Sequence, residues 1–184
     1  GGSLEAHDVE FDVARWFLGE PVSCVGYTRS GWVPGSPLED NGMGIFRFNN
    51  GVVAYLQASW SEWFGYSYME VYGTKGFIQI DNRDPQSSVT WGQPGGLQQT
   101  FDYTHLPLQS YALEFKRYID ALAEHRQPLP SGFDGLRTVQ MAYGIYQSAK
   151  TGREVSLWGE ADEQRTRADA VDGLARDGSL LNGH

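Results

Sequence analysis

The sequence predicts an α+β fold: an open, mostly antiparallel β-sheet with helices packed on one face. Three observations lead there. Helical periodicity is confined to the two ends of the chain, near residues 4–18 and 109–151, with alternating segments between them. The connections between those segments are hairpin-length, which joins neighbouring strands antiparallel. Aromatic side chains make up 14% of the 184 residues (six Trp, ten Tyr and nine Phe), favouring strands and a large packed or binding surface.

Residues 4–18 read as the first helix. Leu4, His7, Phe11, Ala14 and Leu18 recur at three- and four-residue spacings, and Gly19 follows as a stop. Glu5, Val9, Asp12 and Trp16 form a second, opposite face, so this helix is expected to be wedged between layers. Pro21 opens a strand at 22–29, and a loop rich in Gly, Pro and Ser occupies 30–42. Residues 44–48 and 52–60 alternate on either side of Asn49-Asn50-Gly51, whose residues tolerate the positive φ of a tight turn. Val52, Ala54, Leu56, Ala58 and Trp60 share one face of the second strand, and Val53, Tyr55, Gln57 and Ser59 the other.

A second hairpin follows, 66–72 with 77–81, about Gly73-Thr74-Lys75-Gly76, then shorter strands at 88–91 and 98–103. The next helix runs over 109–125 with Tyr111, Phe115, Ile119 and Leu122 in one stripe, and Pro128 and Pro130 break the chain after it. The last helix starts near Ser131 and carries Leu136, Val139, Tyr143 and Tyr146 at helical spacing. It ends at Lys150-Thr151-Gly152, a cation followed by a glycine stop. A short strand fits 154–158. Residues 1–158 are thus expected to form the folded body and 159–184 a polar tail.

Composition narrows the function classes. With 40% hydrophobic residues the chain can bury a core. One cysteine, Cys24, leaves no intrachain disulfide and no multi-cysteine zinc site, fits a reducing, cytoplasmic compartment, and suits a small buried apolar role. The net charge of −9 argues against duplex nucleic acid and anionic membrane as main partners. No apolar run reaches the roughly 18–20 residues of a membrane span. Neither a Gly-x-Gly-x-x-Gly turn between strand and helix nor a phosphate loop occurs, and Gly-x-Ser-x-Gly and His-Glu-x-x-His are also missing.

Two groups of residues could carry chemistry. Glu5, His7, Asp8, Glu10 and Asp12, followed by Arg15, put carboxylates beside an imidazole, the ingredients of general acid–base catalysis. The same residues also suit a charge-laced helix with its acids near the N-terminus. A metal site is disfavoured because no second His or Cys joins at ligand spacing. Tyr66, Tyr68, Glu70 and Tyr72 alternate onto one strand face that could stack on sugar rings, or pack a core or a subunit interface. His105 and Gln109 precede a helix at a junction of the kind that often faces a site, whereas His125 and His184 suit solvated positions.

The ordered motifs carry a resemblance. They are Gly1-Gly2 with Asp12-x-x-Arg15-Trp16-x-x-Gly19, Asp40-Asn-Gly-Met-Gly-Ile-Phe-Arg-Phe48 with Asn50-Gly51, Ala58-Ser59-Trp60, Gly65-Tyr66, Glu70-Val-Tyr-Gly-Thr-Lys-Gly76, Tyr111-x-x-Glu114-Phe115, and Gly132-x-Asp134-Gly135-Leu136-Arg137 running on to Thr151-Gly152-Arg153-x-Val155. In this order they resemble the C-terminal domain of the Gfo/Idh/MocA (glucose–fructose oxidoreductase / inositol dehydrogenase) family. The resemblance implies a substrate-binding and oligomerisation domain of an NAD(P)-dependent oxidoreductase acting on a sugar or polyol, pairing with further copies through the open sheet. It places the NAD or NADP site and the catalytic lysine in a Rossmann domain outside this chain, so no activity is expected of this chain alone. It maps the family's Asp-x-x-x-His acid–base pair onto Glu5 and Val9, making Glu5, with His7 as a substitute, the catalytic candidates. Asp12, Arg15, Tyr66, Tyr111 and His105 become the candidate substrate-binding residues. Val9 cannot transfer a proton, so the resemblance also admits a catalytically inactive sugar-binding or assembly module.

Overall fold

The computed structural model describes residues 2–6, 8–83, 87–105 and 110–158; the expected tail at 159–184 lies outside the described residues. The elements are α1 (Ser3–Ala6), α2 (Asp8–Leu18), β1 (Pro21–Arg29), β2 (Asn41–Phe48), β3 (Val53–Ser59), β4 (Tyr66–Gly73), β5 (Gly76–Arg83), β6 (Ser88–Gly92), β7 (Gln98–Asp102), α3 (Ser110–Ala123), α4 (Gly132–Thr151) and β8 (Val155–Ser156). The fold is α+β, as expected, and every strand pairing is antiparallel. The strands sort into two four-stranded sheets, β3-β2-β1-β8 and β4-β5-β6-β7, rather than one. Each belongs to one of two compact units, the first from Gly1–Ser61 with Pro130–His184 and the second Glu62–Leu129.

In the first unit the core lies between the sheet and the helices. Cys24 of β1, Phe46 of β2 and Ala58 of β3 point inward and meet Leu4, Phe11, Met141 and Ile145. Glycines set how closely α4 approaches. A Cβ on Gly26 would stand 2.9 Å from the Ile145 Cα, and one on Gly44 would stand 2.8 Å from Ile145 Cγ1. The helix therefore rests on bare backbone, and Ser148 Oγ accepts from the Gly26 N–H at 2.9 Å. This close seat decides which stripe of α4 is buried. Arg137, Thr138, Met141, Ala142, Gly144, Ile145 and Ser148 face the sheet, while Leu136, Val139 and Tyr143 of the expected stripe lie exposed. The stripe mixes the large side chains of Met141 and Ile145 with the small Ala142, Gly144 and Ser148, and the sheet glycines leave room for the helix backbone.

The β2–β3 turn is as expected: Gly51 has φ +82°, and Asn50 accepts from the Val52 N–H at 3.1 Å. Asn50 also donates to the Leu18 carbonyl at 3.0 Å, satisfying an open acceptor at the end of α2. The inward stripe of α1 and α2 holds, with Leu4, Phe11 and Ala14 buried. The expectation that a second face of α2 is wedged between layers is corrected, since Val9 and Trp16 are 66% and 81% exposed.

In the second unit β4 to β7 form a meander. The register aligns Met69, Ile80, Val89 and Phe101 on one face, and Glu70, Gln79, Thr90 and Thr100 on the other. Gly73 pairs with Gly76 across the expected turn, and a Cβ on Gly76 would lie 2.2 Å from the Gly92 carbonyl, so that position admits only glycine. The expected stripe of α3 is exposed at Tyr111, Phe115, Ile119 and Leu122, with Ala121 buried instead.

Candidate functional site

The candidate site is built on α1 and α2. Helical spacing sets Val9, Asp12 and Trp16 on the open face of α2, with Glu5 on α1. The side chain of Glu5, and the whole of His7, lie outside the described residues. Of the residues expected to contact substrate, Asp12 and Arg15 are brought together: Arg15 Nη1 donates to Asp12 Oδ1 at 2.9 Å.

Arg15 is nearly inaccessible and saturated. Its Nε donates to Glu20 Oε2 at 3.2 Å and its Nη2 to Glu20 Oε1 at 2.5 Å. It also reaches the Asp134 carbonyl at 3.3 Å and Asp134 Oδ1 at 3.5 Å, tying α2 to α4. Burial works against its charge, but Glu20, Asp134 and Asp12 outweigh that and raise its pKa, so it is a permanent cation. Burial, with Asp134 and Glu20 nearby, raises the Asp12 carboxyl above its ordinary value despite the pull of Arg15. Asp134 goes the other way. Burial opposes its charge, yet hydrogen bonds from the Ser131 N–H and hydroxyl and the Arg15 guanidinium hold it below the usual value.

Glu20 and Asp134 are partners that the sequence did not single out for this role. The Asp134 signal was readable: Ser131-x-x-Asp134 is a capping box, with Ser131 Oγ accepting from the Asp134 N–H and Asp134 Oδ2 accepting from the Ser131 N–H. Glu20 carried no local signal. Arg137 is also fully buried, with its guanidinium 4.0 Å from the Trp158 ring and 4.8 Å from the Phe133 ring.

The remaining candidates belong to the second unit. Tyr66 begins β4 with its backbone paired to Arg83, and its side chain is not among those described. On the same strand, Tyr68 donates to Glu70 Oε1 at 2.6 Å, and Gln79 Nε2 donates to the same oxygen at 2.7 Å. Tyr111 stands in the first turn of α3, 78% exposed. His105 is exposed, and Asp102 nearby accepts from the Thr104 N–H at 2.8 Å. Cys24 is a core residue: burial, and then Glu154, push its thiol up to about 12, leaving it protonated and unreactive at neutral pH.

The described residues do not fit a nicotinamide dinucleotide. Both sheets are antiparallel, so there is no parallel strand–turn–helix unit, and the N-terminus of α4 is filled by its own Ser131 and Asp134. Among the described residues no group of three or more His, Cys, Asp or Glu side chains is placed to hold a metal ion. No helix there is long and apolar enough to cross a membrane.

A profile of the GFO/IDH/MocA C-terminal domain matches residues 7–79, which include α2 and its Asp12–Arg15 pair. Over that segment the chain is similar to the GFO/IDH/MocA C-terminal domain. The 1,5-anhydro-D-fructose reductase of Ensifer adhaerens is 26% identical over 161 residues, covering 84% of this chain and 46% of that protein. The inositol 2-dehydrogenase of Rhizobium meliloti (strain 1021) is 28% identical over 174 residues, covering 84% and 48%. The chain therefore spans about half the length of these relatives. Among solved structures, a levoglucosan dehydrogenase in complex with NADH and levoglucosan superposes with a TM-score of 0.75 at 22% identity, over 86% of this chain and 51% of that one. At that identity the likeness is one of fold.

Proposed function

We propose that this chain is the substrate-binding and oligomerisation domain of an NAD(P)-dependent oxidoreductase acting on a sugar or polyol. The observation that carries the proposal is the open face of α2, where Asp12 is held by a buried cation inside the family's motif order. The sugar-related names of the relatives support the substrate class. The chain's part is to bind and orient: on the first unit Asp12 accepts from a substrate hydroxyl and Arg15 fixes the Asp12 rotamer; for the second unit, taken by itself, Tyr66, Tyr111 and His105 are the proposed polar contacts. Glu5, with His7 as its alternative, polarises the hydroxyl proton. NAD or NADP is held by residues outside this chain. The enzyme works in the cytoplasm without a metal, and neither nucleic acid nor membrane is a partner.

Copies of the chain pair through the outer face of the β3-β2-β1-β8 sheet. There the register lines up Val25, Ile45 and Tyr55 in one row and Tyr27, Met43 and Gln57 in the next. Half or more of the surface of Ile45, Tyr55 and Tyr27 is open.

The test is expression of the gene with its upstream sequence, followed by a screen of sugars and polyols for NAD(P)H turnover. Turnover that falls at least about tenfold in Asp12→Asn supports the reading, and absence of both turnover and cofactor binding refutes it.

A second reading rests on Val9, which stands 66% exposed where the family pattern has its histidine. On this reading the chain is a catalytically inactive sugar-binding or assembly module. Val9→His in the longer protein separates the two: a large gain in turnover marks a decayed enzyme, and no gain in an already active protein places the proton relay elsewhere.

A further inference from the structure

Asn-Gly occurs at 41–42 and at 50–51 among the described residues, and the two copies stand in opposite surroundings. Asn41 opens β2 and pairs on both sides, with Arg29 of β1 and Ser59 of β3. Its amide donates to Ser61 Oγ at 2.7 Å. Gly42 behind it is buried, and a Cβ there would stand 2.4 Å from Leu4 Cγ. Asn50 and Gly51, by contrast, are exposed at the tip of the β2–β3 turn, and nothing lies within 4 Å of where a Gly51 Cβ would stand.

The contrast bears on one reaction, the closure of asparagine with the next backbone nitrogen. Glycine as the next residue hinders that closure least, because it has no side chain and the freest backbone. At Asn50 the Gly51 nitrogen attacks Cγ, the N–Cγ bond forms, the Cγ–Nδ2 bond breaks, and ammonia leaves a cyclic succinimide. Water then adds across one C–N bond of the ring. Opening on the Cγ side gives aspartate, and opening on the backbone carbonyl side gives isoaspartate. Negative charge develops on Asn50 Oδ1 during the attack, and the Val52 N–H already donates to that oxygen at 3.1 Å. The attacking nitrogen must first release the Phe48 carbonyl, to which it donates at 2.9 Å. That is one hydrogen bond at an exposed loop tip, where local opening costs least. At Asn41 the same motion has to unpair a strand held between two neighbours.

The product alters a contact that the fold uses. Asn50 Nδ2 donates to the Leu18 carbonyl at 3.0 Å, and the Asn49 N–H donates to the Glu20 carbonyl at 3.4 Å, so the turn holds the segment between α2 and β1. That segment carries Glu20, which takes two hydrogen bonds from Arg15. A carboxylate in place of the amide has no proton for Leu18. It also sets a negative charge against the carbonyl end of α2, where the helix dipole is negative too.

We propose that Asn50 is a deamidation site of the folded protein, and that its conversion to aspartate or isoaspartate unfastens the end of α2 from the β2–β3 turn. The proposal is independent of the sugar-oxidoreductase reading.

The experiment incubates the purified chain at mildly alkaline pH, folded and in urea, and follows each asparagine by peptide mapping with mass spectrometry. In the folded chain Asn50 is expected to convert at least about tenfold faster than Asn41, whereas in urea the two convert at similar rates. A folded chain that keeps its Asn50 amide as long as its Asn41 amide overturns the site. The release of α2 is read on Asn50→Asp by hydrogen exchange at the Gly19 N–H, which donates to the Arg15 carbonyl at 2.8 Å. Exchange there is expected to quicken several-fold, with the thermal midpoint lower by about 2–4 °C. Unchanged exchange at Gly19, or a quickening of equal size throughout the chain, overturns the release.

Discussion

At Arg15 one side chain settles both the seat of α2 and the state of its neighbours. Three carboxylates, Asp12, Glu20 and Asp134, converge on a guanidinium that is 7% exposed, and the carboxylates keep partial access to water. Replacing Arg15 by Met leaves them facing one another without a cation. The expected loss is about 2–3 kcal/mol, below the 3–5 of a fully buried pair because solvent still reaches the acids; urea denaturation measures it. The acids respond to pH in opposite senses. Asp134 has a lowered pKa, so the stability it contributes is complete above the ordinary aspartate value and is lost as pH falls through its folded value. Asp12 has a raised pKa, so its contribution is present at low pH and is lost as pH rises through its folded value. Asp12→Asn is therefore expected to gain stability relative to the wild type as pH rises from about 3 to about 6, the span around an ordinary aspartate. Thermal unfolding at several pH values reads this, and a difference that is flat with pH refutes the raised carboxyl.

Among the elements, α3 and α4 show how far local pattern carries. The end of α4 was legible: Gly152 takes φ +66° and its N–H donates to the Ser148 carbonyl, as a Lys-Thr-Gly ending predicts. The buried stripe of α4 was not, because burial there follows room for backbone contact rather than hydrophobicity, and Gly26, Gly44 and Gly144 create that room only once the chain is folded. Three-residue spacing brings Arg15 to Asp12 on α2, whereas its other partners lie beyond the Gly19 stop, at residue 20, and on α4, at residue 134, which helical periodicity does not reach. The end of α3 had no glycine to announce it. His125 occupies the left-handed region at φ +55°, and the Arg126 N–H returns to the Ala121 carbonyl at 3.0 Å. A side chain there costs about 1 kcal/mol that glycine avoids. His125→Gly is accordingly expected to stabilise the protein by roughly 0.5–1 kcal/mol, after the loss from the more flexible unfolded chain is subtracted. An unchanged midpoint in denaturant contradicts that geometry.

At the scale of the whole molecule, the aromatic and aliphatic surplus of an acidic chain divides between a core and open faces. The inner face of the β3-β2-β1-β8 sheet is filled by Phe46, Cys24 and Ala58 against α4, while Val25, Ile45 and Tyr55 form an apolar row on the other face. At the end of the sheet Ser23 donates to Glu154 Oε1 at 2.5 Å, and Arg47 stands 3.7 Å from the same carboxylate. The proposed pairing would put this apolar row at its centre and the exposed charges at its rim. In a two-fold pair the same row meets itself, so one substitution enters the contact twice. Ile45→Glu places two carboxylates at the centre of such a pair, where like charges lose their water and repel. The expected outcome is a fall of the light-scattering mass to half or less, with circular dichroism unchanged because Ile45 points away from the core. A wild-type chain that is already monomeric at high concentration, or a variant that keeps the wild-type mass, removes this face from the assembly.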